Sequence, residues 1–140
     1  MNLLLDTHIW LWALLEPERL STKVTEVLGA TETRRWLSPL SVWETLTLIE
    51  RGRVEVDRPA EQWVRDALSQ APVTEAPVTT EVAFAARALR SRHRDPVDRF
   101  LAATAQVFDL TLVTSDAQLL GMSGVRTLSN RTRRPRAARR

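Results

Sequence analysis

Residues 2–15 read NLLLDTHIWLWALL, and the order of events in that stretch decides the fold. Asn2 to Leu5 is an apolar run too short for a helix, so it is expected as a buried strand. Asp6 ends it, and Thr7 to Leu15 follows as a helix that stops near Pro17. The same order returns near the other end of the chain. Leu110 to Thr114 reads as a strand, Asp116 to Leu120 as a short helix, and Val125 to Leu128 as a last strand. Between them Ser21 caps a helix with Val24, Val27 and Leu28 on one face, and Arg35 to Ser38 is a candidate strand. Ser41 to Arg51 is helical, with Val42, Trp43, Leu46 and Ile49 at helical spacing and Gly52 closing it. Another helix follows Pro59, Pro72 to Val78 has room for a strand, and Thr80 to Arg90 and Pro96 to Phe108 are helical. Short apolar strands alternating with helices predict an α/β fold: a short central parallel sheet of four to five strands, with helices on both faces. Ligands of such sheets sit at the carboxyl ends of the strands, so the chemistry is sought there.

Composition narrows the chemistry. The chain has 140 residues, 44% hydrophobic and 26% charged, which suits one globular domain and excludes a collagen-like or mainly disordered chain. It has no cysteine, so disulfides, thiolate nucleophiles and cysteine-held zinc are excluded. Two histidines, His8 and His93, are too few for a histidine-built zinc site. No apolar run approaches the roughly 20 residues of a spanning helix, and the first residues carry no basic leader, so a cytoplasmic protein without membrane contact is expected. Charge is uneven. Residues 131–140 hold six arginines and no acid, and without them 14 basic side chains face 17 acidic ones, a net charge of −3. The expected organisation is a domain at 1–130 and an arginine-rich tail at 131–140, disordered, either a solvated extension or an electrostatic hold on nucleic acid.

Four acids stand at junctions that a parallel sheet can bring to one edge. Asp6 follows the first strand, and Asp116 follows the strand Leu110 to Thr114. Asp98 lies in the first turn of a helix, with Leu101, Ala102 and Ala105 beside it. Glu44 lies close to an apolar stripe, four residues from both Leu40 and Leu48. Each alone is explained by capping: Ser41 and Glu44 match a capping box, Asp95 and Pro96 an N-cap and N1 pair, and Asp6 and Asp116 caps of the helices after them. Capping gives no reason for four carboxylates to converge, since like charges repel. A hard divalent cation resolves that repulsion: Mg²⁺ or Mn²⁺ takes oxygen ligands, activates a bound water and stabilises phosphodiester cleavage, with no need of cysteine or histidine.

Four stretches carry a family resemblance: LLLDTHIWLW at 3–12, SPLSVWETLTLIERGR at 38–53, HRDPVDRFLAATA at 93–105 and LTLVTSDAQLL at 110–120. In this order they resemble PIN-domain proteins of the VapC type, bacterial toxin ribonucleases. The resemblance implies a PIN-like fold, and Asp6, Glu44, Asp98 and Asp116 as the catalytic, metal-binding acids, with Thr114 and Ser115 in the loop that presents Asp116. It implies RNA cleavage with Mg²⁺ or Mn²⁺, a homodimer, and a small antitoxin protein that covers the active site. Val97 stands where relatives carry an aromatic residue, which alters packing beside Asp98 but removes no ligand. The arginine tail runs past the family's usual end.

Rival readings fail on residues. The only lysine is Lys23, so neither a P-loop nor a receiver domain has its lysine, and Asp6-Thr7-His8 lacks the second aspartate of a dehalogenase-type phosphatase. His8 is expected to pack on its helix and His93 to sit on a solvated turn. The tryptophans at 10, 12, 36, 43 and 63 are expected in core packing or an oligomer interface. Trp10 and Trp12 cannot share one helix face, so one is expected to meet a partner. Two other functions stay open: a catalytically silent PIN-like module that binds RNA or protein, and a scaffold whose acids only cap helices.

Overall fold

The computed structural model describes residues 1–90 and 94–131. Five strands, β1 (Asn2–Leu5), β2 (Arg34–Leu37), β3 (Thr74–Glu75), β4 (Thr111–Thr114) and β5 (Thr127–Ser129), form one parallel sheet in the order β3-β2-β1-β4-β5. Parallel strands need crossovers, and among the described residues seven α-helices supply them: α1 (Thr7–Leu15), α2 (Thr22–Gly29), α3 (Pro39–Glu50), α4 (Ala60–Gln70), α5 (Thr80–Ala88), α6 (Pro96–Val107) and α7 (Ala117–Leu120). Alternation along β1 sorts the core into two layers. Leu3 and Leu5 pack with Ile9, Trp10, Val24, Leu28, Val64 and Ala67 of α1, α2 and α4. Leu4 points the other way, to Leu101, Ala102 and Ala105 of α6 and Leu119 of α7. The expected helices on both faces of a short parallel sheet are therefore present, with five strands.

The strand order reverses between β1 and β4. One crossover path runs outward through β2 and β3, and the chain then returns to the other side of β1. Such a switch point opens a crevice at the carboxyl ends of the two central strands. Asp6 follows β1 and Asp116 lies two residues past β4, so both acids are delivered to that crevice by topology alone.

Two local readings are corrected. The helix expected from Ser41 starts at Pro39, with Ser38 as its cap: the Leu40 N–H donates to the Ser38 hydroxyl at 3.1 Å. Proline at N1 costs nothing because its missing N–H would be unpaired there. Ser41 and Glu44 are thus no capping box: Ser41 lies inside the helix, fully buried, and accepts a hydrogen bond from the Thr7 hydroxyl at 2.9 Å. The last strand lies at Thr127–Ser129, later than expected, because Gly124 (φ 79°) still turns the chain before it. Gly52 closes α3 as expected. Its φ of 71° lets its own N–H reach the Ile49 carbonyl at 3.0 Å while the Arg53 N–H reaches Leu48 at 2.9 Å, a Schellman closure.

Candidate active site

Asp6 and Asp116 cap helices and face the crevice at once. Asp6 accepts from the Thr7 N–H at 2.8 Å through Oδ1, and Asp116 accepts from the N–H groups of Gln118 and Leu119 at 2.7 and 3.3 Å. One buried residue joins the two. The Thr114 hydroxyl donates to Oδ2 of Asp6 at 2.6 Å and accepts from the Asp116 N–H at 3.0 Å. Asp6 therefore meets a donor at each oxygen, and its rotamer is held from both sides.

Glu44 comes from α3. The Thr7–Ser41 hydrogen bond ties the start of α1 to α3 one turn before Glu44, which sets the height of that carboxylate against Asp6. Glu44 itself makes no hydrogen bond or ion pair among the described residues. Asp98 comes from the first turn of α6. Asp95 caps this helix by accepting from the Val97 N–H at 3.0 Å, and Arg99 fixes it to the end of α5 by donating to the carbonyls of Ala86 and Leu89 at 2.8 and 3.1 Å.

All four sequence-identified acids, together with Asp95, line one open cavity of about 410 Å³ with His8, Ile9, Trp12 and Ser115. No lysine or arginine lines it among the described residues. Burial holds the Asp6 carboxyl above its usual range. The Thr114 hydroxyl, the charge of His8 and the Thr7 N–H pull it back, and the Asp116 charge adds a smaller rise. Repulsion between the acids is thus present but second to burial. Apart from His8 on the rim the donors are oxygens, which fits Mg²⁺ or Mn²⁺ and not a soft metal. Among the described residues no three of these groups close into a direct cage around one ion. The cavity leaves room for water between carboxylates and cation, and Mg²⁺ characteristically keeps several waters.

Some of this wall was invisible in the sequence. His8 is exposed on the cavity rim, its ring 5.9 Å from that of Trp12. His8 follows Asp6 by two residues in the first turn of α1, and that proximity was the available signal. Trp12 is half-buried under its own chain, with the Arg19 guanidinium 4.6 Å from its ring centre, while Trp10 is buried edge-on to Trp63. The tryptophan left in the open is Trp43, 61% exposed. His93 lies outside the described residues.

A family model, the PIN domain, matches residues 3–124. Ribonuclease VapC22 of Mycobacterium tuberculosis is 31% identical over 119 residues, 84% of this chain and 89% of that protein. VapBC2 from Rickettsia felis, solved bound to a DNA fragment from their promoter, superposes with a TM-score of 0.71 at 15% identity, over 92% of this chain and 98% of that one. A toxin-antitoxin complex from Klebsiella pneumoniae superposes with a TM-score of 0.66 at 22% identity, over 91% and 97%. At these identities the structural likenesses speak for the fold alone.

Proposed function

This chain belongs to the PIN domain family, and from that premise we propose that it is a metal-dependent endoribonuclease, the toxin half of a toxin–antitoxin pair. The observation that carries the proposal is the convergence of Asp6, Glu44, Asp98 and Asp116 on one cavity at the switch point of the sheet. Family membership and the ribonuclease relative support the reaction class; the five carboxylates on the cavity wall support Mg²⁺ or Mn²⁺.

Asp6, Glu44, Asp98 and Asp116 would hold the cation, directly or through water. Bound there, it supplies a water of lowered pKa and neutralises charge that builds on the phosphate. The chain's own contribution is positioning. Thr114 and the Thr7 N–H fix Asp6, Ser41 and Thr7 fix the height of Glu44, and the cap at Asp95 fixes Asp98. His8 on the rim faces the incoming strand.

Two partners follow from the same premise. A second copy of the chain is proposed for the depression of about 650 Å³ between α3 and the start of α6, where Leu40, Trp43, Val97 and Phe100 form an apolar wall. It shares Glu44 and Asp95 with the acid cavity, so a dimer formed there sets two acid sites side by side. A small antitoxin is proposed to cover the acid cavity, in keeping with the toxin-antitoxin complex that shares this fold. For localisation, no helix among the described residues is long and apolar enough to cross a membrane, and a cytoplasmic protein is proposed.

The test is cleavage of single-stranded RNA by the purified chain. Cleavage in Mn²⁺ or Mg²⁺, lost in chelator and cut at least about 100-fold by Asp98→Asn, is expected. An Asp98→Asn chain that cleaves at the wild-type rate sinks the site assignment, and a wild-type chain that cleaves no RNA in either metal favours the silent module.

A further inference from the structure

Two depressions adjoin the acid cavity. One is the apolar wall proposed for a second copy, which shares Glu44 and Asp95 with the cavity. The other is a groove of about 740 Å³ between α1 and the turn after α3, and it shares His8 and Trp12. This groove is therefore the side on which a strand lying in the cavity stays uncovered in the proposed dimer. It also carries cations where the cavity carries none. Arg19 and Arg53 line it, with Glu16 and Glu55, whereas the cavity has five carboxylates and, among the described residues, no lysine or arginine.

Both arginines are anchored to the elements that build the site. One buried side chain spans from Arg19 to the cavity. The Asn130 amide nitrogen, in a residue 6% exposed, donates to the Arg19 carbonyl and to the Ser115 hydroxyl, both at 3.1 Å, and Ser115 lines the cavity. The Arg19 guanidinium lies 4.6 Å from the ring centre of Trp12 and pairs with Glu16 at 3.3 Å. The Trp12 ring lies 5.9 Å from that of His8. His8, Trp12 and Arg19 thus form a row of three planar groups that runs from the cavity rim into the groove. Arg53 comes from the turn that closes α3, the helix that carries Glu44. Its N–H donates to the Leu48 carbonyl at 2.9 Å, and its exposed side chain makes no hydrogen bond or ion pair among the described residues.

Charge and shape say what fits. Residues 132–140 lie outside the described residues, and without 131–140 the chain has a net charge of −3. A polyanion leaving the cavity passes from five carboxylates to a groove whose cations and acids balance two to two, with one of those acids already paired to Arg19. An unpaired guanidinium offers phosphate a two-pronged grip. Bases of single-stranded RNA stack on aromatic rings and guanidinium planes, whereas a duplex has no free base to offer them.

We propose that this groove is the subsite for the nucleotide next to the scissile phosphate of a single-stranded RNA: its base stacks on the row formed by Trp12 and Arg19, and Arg53 holds its phosphate. The proposal rests on the ribonuclease reading and deepens it. These contacts are made to substrate and transition state alike, so they lower KM and leave kcat alone.

Cleavage of a short labelled single-stranded RNA in Mn²⁺ is compared for the full chain, Arg19→Gln, Arg53→Gln and a charge-matched control, Arg65→Gln, whose side chain is exposed on α4 and paired to Glu61. All four proteins keep residues 132–140, so these contribute equally. Arg19→Gln and Arg53→Gln should each raise KM at least about 5-fold at about 50 mM KCl with kcat within about twofold, and Arg65→Gln should leave both within about twofold. At about 200 mM KCl the gap between the full chain and Arg53→Gln should narrow about 2.5-fold, the weight of one phosphate contact on a single strand. Removing one base at a time from the RNA reads the stack. An abasic residue beside the cut should raise the full chain's KM about 10-fold and that of Arg19→Gln about twofold at most. A purely structural Arg19 would leave that penalty unchanged. A KM that does not rise in either arginine variant, or an abasic penalty that Arg19→Gln leaves intact, overturns the subsite while the ribonuclease reading stands, and the groove is then open to a protein partner. A full chain that cleaves no RNA overturns the ribonuclease reading and the subsite with it.

Discussion

Thr114 shows how much of the site hangs on one hydroxyl. It is fully buried, it gives Asp6 its shortest hydrogen bond, and it orients the backbone that carries Asp116. Thr114→Val keeps the shape and removes the group. It should cost about 1–3 kcal/mol of stability, read as a lowered melting temperature, and should cut cleavage at pH 7. Thr114→Ser should recover most of both. Asp6 adds a pH dependence. Because burial raises its carboxyl above the unfolded value, the folded chain holds that proton more tightly. The stability this brings is full below the unfolded pKa and is lost as pH rises through the folded one. The metal-free protein should therefore lose stability relative to Asp6→Asn as pH is raised from about 4 to about 7, in melts of the two chains side by side. Asparagine still caps α1, and the Thr114 hydroxyl can turn to accept from it, so the comparison isolates the charge. Equal pH profiles for the two chains would count against burial as the cause.

At the level of elements, the caps show which side chains hold a helix start and which acid, Glu44, does not. Ser38→Ala should cost about 1 kcal/mol, since Ser38 is the residue that holds the start of α3. Glu44→Gln should leave metal-free stability unchanged and remove most cleavage, because Glu44 holds no N–H of its helix. A capping box at Ser41 and Glu44 would give the opposite pattern, and thermal melts decide it. The sequence reading erred here because Ser-x-x-Glu is local information. Whether Ser38 or Ser41 starts the helix is settled by the tertiary bond from Thr7, 34 residues away. Elsewhere local information sufficed. Asn2–Leu5 and Thr111–Thr114 are apolar runs too short to be anything but buried strands, and an acid follows each. Asn130 was silent, since nothing near it in the chain foretells a buried amide bonded to Ser21 and Arg19.

For the molecule as a whole, four carboxylates on one cavity predict, if the proposed metal site holds, a folded state stabilised by a divalent cation. Mn²⁺ at about 100 times its Kd should add roughly 2.7 kcal/mol, about 10 °C in melting temperature for a chain of this size. The gain should shrink toward pH 5 as protons compete for the ligands, and should nearly vanish in Asp98→Asn. A scaffold whose acids only cap helices would melt alike with and without Mn²⁺. The same topology bears on when the proposed active site is complete. Asp6 emerges from the ribosome among the first residues, but its partner Thr114 lies 108 residues later, and β5 and Asn130 come later still. Because β1 is central to the sheet and one of its two neighbours is β4, the crevice has no second wall until synthesis is almost over. A nascent chain hanging beside ribosomal and messenger RNA therefore carries half a site. On the proposed function, the site is armed only on release, when the proposed antitoxin can meet it.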